Sequence, residues 1–287
     1  MSPGTNPLTE RRRLRIELRQ TRDALKLTQK EVADALEWSP SKLIRIEKGT
    51  VGISVTDLKA LLLHYQVTDP DAVDRLVRMA RIGKQAAWWN EYRDIASLRF
   101  QKFVGLESSS IRIRQFQSLV FPGLLQSRRY VEALMTNSHT ETGRRLMEAR
   151  LKRQELIGED GPEMIFIVDE SVLHRQIGGA AVMRAQLRHV KEVAAHPNVT
   201  FRVMPFSAGV HKGMAASFEI FELSDEPDDY AVLLEQAHRD TLFEDASEET
   251  AEFVNIFSEL GEVALPPEDT LRVIDQRLRE LAEENEQ

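Results

Sequence analysis

The chain is 287 residues long, with 38 Lys+Arg against 46 Asp+Glu, a formal net charge of -8, and no cysteine. A hydrophobic share of 42% and a charged share of 29% describe a folded globular protein about two domains long, neither disordered nor fibrous. Disulfides, thiolate metal centres and cysteine nucleophiles are excluded, no apolar run reaches the ~20 residues that cross a bilayer, and the polar start MSPGTNPLTERRRLR lacks the apolar core of a secretory signal.

A cytoplasmic protein without a membrane partner is therefore expected, and its charge is uneven. Through residue 85 there are 16 Lys+Arg and 11 Asp+Glu; the remainder has 22 and 35. A basic N-terminal block on an acidic body suits a polyanion partner for that block, although a solvated helix face carries the same charges. Residues 1–10 read as a flexible tail. From 11 to 25, Leu14, Leu18 and Leu25 fall on one side of a helix, with Arg11, Arg15, Arg19 and Arg22 around the rest. Thr28, with Glu31 three residues on, forms a capping box that starts a second helix, whose Val32, Ala33 and Leu36 face inward. Ser39 caps a third, with Pro40 at its first position, Leu43 and Ile46 toward the core and a stop at Gly49. SVTDLKALLLHY and DPDAVDRLVRMARIG each open on a capping residue, which makes five helices in a unit spanning 11–85.

Two short helices joined by about three residues form a helix-turn-helix when they cross steeply, and the small Ala33 permits that approach. The set Arg22, Thr28, Gln29, Ala33, Leu36, Leu43, Ile46, Glu47 and Gly49 resembles the phage-repressor-like, or XRE, helix-turn-helix domains over residues 11–66. The resemblance implies double-stranded DNA as partner, with the third helix in the major groove. It places Gln29 on a backbone phosphate, turns Ser39, Ser41, Lys42 and Arg45 to the DNA, and pins the first helix to the third through an Arg22–Glu47 salt bridge. Arg45 can read a guanine through two hydrogen bonds or hold a phosphate, Lys42 and Lys48 suit phosphate, and Ser41 suits a base or a water. Trp38, in the turn, reads as a packing residue rather than an intercalating wedge. Glu37 stands where glycine is most often found, so a left-handed turn there is expected to carry about 1 kcal/mol of strain.

Beyond residue 85 the pattern changes to that of an α+β domain with a small mixed sheet, over 86–287. AAWWNEYRDIASLRFQKFVGLE is helix-rich, SIRIRQFQSLVF alternates like a strand, PGLLQSRRYVEALM reads as a helix opened by Pro122, and ETGRRLMEARLKRQELIG as a long amphipathic helix. MIFIVDES and NVTFRVMPF read as strands around the helix AAVMRAQLRHVKEVAAHP, a parallel crossover. SFEIFEL and YAVLLEQ form a hairpin across SDEPDD, and helices at about 246–260 and 268–283 close the chain. The phrases WWNEY, FPGLLQSRRYVEALM, FIVDESVLHRQIGG, HPNVTFRVMPF and FSELGEVAL resemble the large domain that follows XRE helix-turn-helix domains in many actinobacterial-type regulators, some antitoxin-like, over about 87–275.

HExxH, GxSxG, GxGxxG and GxxxxGK[ST] are all absent, so no catalytic residue, cofactor or metal site is expected. Asp169, Glu170 and His174 could share a helix face around a metal, but capping of a helix after a strand is the simpler role. Glu235, His238 and Asp240 read as a polar strand end, His211 as a surface turn or a ligand-hugging loop, and Trp88, Trp89 and Tyr92 as core or interface. The expectation is a sequence-specific transcriptional regulator, homodimeric through residues beyond 85, with a ligand or a small protein partner at its second domain. An antitoxin-like partner binder is the alternative, and an enzyme fused to a DNA-binding domain is the remoter one.

Overall fold

A computed structural model of the chain describes residues 7–283 apart from 48–50, 85–87, 136, 159–160, 226, 228, 237–239 and 244–245. The chain divides into two compact units, Met1–Glu91 and Tyr92–Gln287.

The first unit is helical: α1 (Pro7–Ala24), α2 (Gln29–Ala35), α3 (Pro40–Glu47), α4 (Val55–His64) and α5 (Pro70–Gly83). Local signals start most of them. Thr28 accepts from the Glu31 N–H while the Glu31 carboxylate accepts from the Thr28 N–H, and Ser54 and Asp69 cap α4 and α5, each such cap stabilising by about 1 kcal/mol. Helix α1 opens at Pro7 rather than 11, so only residues 1–6 of the expected tail lie ahead of it, outside the described residues. Proline fits a first turn, where its missing N–H leaves nothing unsatisfied. Leu14, Leu18, Val32, Leu43, Ile46, Leu58 and Leu61 form the core, each contributing about 1.5–3 kcal/mol by leaving water. Leu25 is not among them. It is 42% exposed because α1 ends at Ala24 and Lys26 turns the chain at φ 57. A Cβ on Gly83 would come within 3.3 Å of the Arg11 Cα, so glycine lets the end of α5 close on α1, where the Arg11 guanidinium donates to the Gly83 carbonyl.

In the second unit α6 (Leu98–Ser109) leads into β1 (Arg112–Gln117), then α7 (Arg128–Leu134) and α8 (Glu141–Lys152). There follow β2 (Glu163–Asp169), α9 (Ser171–His174), α10 (Ala180–Val193), β3 (Val199–Met204), β4 (Phe218–Glu222), β5 (Tyr230–Leu234), β6 (Thr241–Phe243), α11 (Glu248–Val263) and α12 (Pro267–Glu283). The six strands form one mixed sheet in the order β3-β2-β1-β4-β5-β6. Strands β1, β2 and β3 are parallel, and β4, β5 and β6 extend the sheet in antiparallel pairs. The β2–α10–β3 connection therefore joins parallel strands, and β4–β5 is the hairpin expected across SDEPDD.

Both sheet faces are covered, which is why β2 reads as an unbroken apolar run. One face (Ile113, Phe166, Val168, Phe221, Leu233) packs with Leu187, Val190, Ile274 and Leu281 of α10 and α12. The other (Phe116, Ile167, Phe218, Ile220) packs with Phe257 and Leu260 of α11. Two expected helices are broken. PGLLQSRRYVEALM divides into a 3₁₀ turn at Gly123–Leu125 and α7, because Ser127 caps a new start. ETGRRLMEARLKRQELIG tightens into a 3₁₀ turn at Arg153–Leu156 after α8. Three amides, two of them buried, lock this region: Gln126 donates to the Phe121 carbonyl, the half-buried Gln154 to that of Gln126, and Gln186 to that of Leu125.

Candidate nucleic-acid interface

Helices α2 and α3 pack closely because Ala33 is fully buried at their crossing. The turn between them is closed by Glu37 N–H donating to the Asp34 carbonyl (3.2 Å) and Trp38 N–H to the Ala33 carbonyl (2.8 Å). Glu37 takes φ 53, the left-handed conformation, at roughly 1–2 kcal/mol for a residue with a Cβ. Trp38 packs against the helical core and is not a free wedge.

Behind the turn lies a buried polar knot. Arg22 Nε donates to Glu47 Oε1 at 2.7 Å and Nη2 to Oε2 at 2.9 Å, while Nη1 donates to the Leu27 carbonyl at 2.9 Å. Gln29 Nε2 donates to the same Glu47 Oε2 at 2.6 Å. The hydrogen bond to Glu47 raises the Arg22 pKa against the opposing effect of burial. Each donor and acceptor of the pair has a partner, so α1, the start of α2 and the end of α3 are held in one register. The Tyr65 hydroxyl is buried beside this knot, its pKa pushed up by burial and by the Glu47 charge.

The α3 surface carries the remaining candidates. Ser39, Ser41 and Arg45 are exposed, with the Ser39 and Ser41 hydroxyls 3.3 Å apart. Lys42 is held in place: its Nζ donates to Asp57 Oδ1 at 2.8 Å and lies 4.0 Å from the Trp38 ring centroid. Burial raises the Asp57 carboxyl, but hydrogen bonds from Lys42 and Ser54 outweigh it and hold the group below the usual carboxylate range. No motif pointed to Asp57; its place in the first turn of α4, one helix beyond the cations, was the only signal. Lys48 and the expected stop at Gly49 lie outside the described residues.

The weaker candidates of the second unit resolve differently. Asp169 Oδ1 accepts from the Ser171 N–H at 2.9 Å, starting α9, and Glu170 accepts from the Phe206 N–H at 2.7 Å. His211 is no surface turn: its side chain is 9% exposed, 3.4 Å from Asp169 and edge-on to Phe116. Gly213 permits this fold-down, since a Cβ there would meet the Phe116 ring at 2.6 Å. Glu235 is no solvated strand end either, because Gln117 reaches across to it at 2.8 Å. His238 lies outside the described residues. Among the described residues no group of three or more His, Asp or Glu could hold a metal ion, and no helix is long and apolar enough to cross a membrane.

Residues 13–76 match the family described as a helix-turn-helix domain, a fold that points to a DNA-binding regulator. No curated protein and no solved structure matches the chain. Residues 100–276 match a second family, and with more than half its length so matched the chain belongs to the family described as Domain of unknown function (DUF5753).

Proposed function

We propose that the chain is a sequence-specific transcriptional regulator of the phage-repressor-like (XRE) type, cytoplasmic and acting by binding rather than catalysis, which lays α3 in the major groove. The observation that carries this reading is the exposed face of α3: Ser39 just before it, Ser41 in its first turn and Arg45 in its last turn outward, Leu43 and Ile46 buried, on a helix pair with a tight turn. Arg45 is the base reader in this scheme, with Ser39 and Ser41 beside it. Gln29 keeps a second amide proton for a phosphate while the first holds Glu47. Lys42 and Lys48 are assigned to phosphates. Because Asp57 neutralises Lys42, its truncation should alter the salt slope by less than the roughly one unit of an unpaired contact. Arg45→Ala should weaken specific binding by about 1–3 kcal/mol and relax preference at one base position. An unchanged preference in a competition assay would remove Arg45 from that role.

A single recognition helix reads few base pairs, so two copies about 34–36 Å apart are needed for useful specificity. We assign the pairing to the second unit, where Phe206, Val210 and Met214 are 59%, 94% and 63% exposed. The same apolar side chains favour a second reading, an antitoxin-like module of actinobacterial type that covers this surface with a small partner protein.

A further inference from the structure

The face of the sheet that packs with α10 and α12 does not stay apolar. Toward one end, Gln115 and Gln117 of β1 follow Ile113 on the same side, Glu219 of β4 follows Phe221, and Glu235 continues the line of Leu233. Gln115, Gln117 and Glu219 are 3%, 2% and 1% exposed. They do not close on one another. They line a cavity of about 420 Å³, completed by α6, α8 and the 3₁₀ turn at Arg153, a size that holds a small organic molecule.

Three buried polar atoms of its lining residues lack a hydrogen-bond partner, the acceptors Gln117 Oε1 and Glu219 Oε1 and one donor, Arg99 Nη2. An orphaned buried acceptor costs roughly 1–3 kcal/mol, and two in one cavity call for a donor from outside. The arginines do not supply it. Arg153 spends its fork on Glu107, at 2.8 and 2.5 Å, Arg150 donates its Nε to Gln126 at 3.0 Å, and Arg99 faces Asp240 at 3.7 Å. The lining holds three carboxylates, Glu219, Glu235 and Asp240, against those three cations; with Glu107, the partner of Arg153 outside the lining, the fully ionised cluster lacks one positive charge. The other walls are apolar, with Phe100, Phe121, Met135 and Leu146 in the lining.

We propose that this cavity binds an organic cation, an ammonium group with an aromatic or aliphatic body, whose N–H donors meet Glu219 and Gln117 while its body lies along the phenylalanines. A quantity independent of shape agrees. Burial first, then the Glu107 charge, raises the Glu219 carboxyl well above its ordinary value, against the pull of Arg153 and with Glu235 adding to the rise. A cation bound there would pull the Glu219 carboxyl back toward its ionised form, so binding is coupled to proton release. As the control site of the regulator, the cavity rests on the proposed function; ligand binding itself does not, and it is tested without DNA.

The test is calorimetry and thermal melting of the full chain with phenethylamine, hydrocinnamate and phenethyl alcohol, three probes of one shape and different charge. Phenethylamine should bind and raise the melting temperature, the other two should not, and runs in buffers of different ionisation enthalpy should register proton release. Glu219→Gln should weaken phenethylamine about tenfold or more. Leu146→Trp, which fills the cavity from α8, should abolish binding and serves if the Glu219 variant does not fold. Hydrocinnamate binding as well as the amine would mark an anion site at Arg150 and overturn the proposal. So would no shift with any probe, or unchanged phenethylamine affinity in both variants.

Discussion

Each unit buries an arginine–glutamate pair, and the two pairs are surrounded differently. Around Arg22 and Glu47, the Leu27 carbonyl and the Gln29 amide complete the hydrogen bonding of the pair, and the Tyr65 hydroxyl beside it is left without a partner. Around Arg153 and Glu107, each fully or almost fully buried, the same bidentate geometry sits beside Glu219 and Gln117, whose acceptors are left over. A closed polar cluster orients helices. An open one holds unpaired acceptors against an empty volume, a feature that a folded chain retains at a cost to its own stability. The comparison therefore separates a structural knot from a binding site, although both are built from the same residue types.

Truncating the carboxylates tests this most strongly. Glu107→Ala leaves Arg153 buried without its partner and should cost about 3–5 kcal/mol in chemical unfolding of the second unit. Glu47→Ala should cost toward the lower end, about 3 kcal/mol, because Arg22 keeps the Leu27 carbonyl and Asp23, and it should lower DNA binding with it. A melting temperature unchanged by either substitution would show that pair to be solvated.

The pH dependence sharpens the contrast. The folded chain holds a proton on Glu219 that the unfolded chain releases near the ordinary value of 4.5. The folded state then binds more protons than the unfolded one, so stability falls as pH rises above that value, until the folded-state pKa is passed. Glu235 shifts in the same direction, chiefly by burial. Glu219→Gln should flatten this slope in melts across the acid-to-neutral range; a slope identical to wild type would place the proton elsewhere.

The smallest effect lies in the turn of the first unit. Glu37→Gly should raise its stability by about 0.5–1 kcal/mol, the left-handed strain less the entropy of an added glycine. A loss on substitution would mean that the Glu37 side chain supports the turn.

The first unit was legible because its signals are local. The Thr28–Glu31 box, Ser54 and Asp69 sit within one turn of the helices they start, and Glu37 occupies the one position where a turn of this kind needs a positive φ. Leu25 was misplaced because the helical period gives no warning of where a helix stops. In the second unit the parallel β2–β3 pair and the β4–β5 hairpin were readable from apolar runs, whereas the short β6 was not. The cavity was hidden by its chemistry. Gln115 and Gln117 in β1 and Glu219 in β4 look like the wet face of a strand, and only elements distant in the chain, α6 and α8, turn that face into an interior.

The central claim is that α3 reads DNA sequence. The most direct measurement is to sequence genomic fragments retained by the full-length protein from a random pool at near-physiological salt. The account predicts one enriched motif with two-fold symmetry, its half-sites about one helical turn apart, and loss of preference at one position of each half-site in Arg45→Ala. Retention of fragments with no shared motif, or the same motif from wild type and Arg45→Ala, would contradict it.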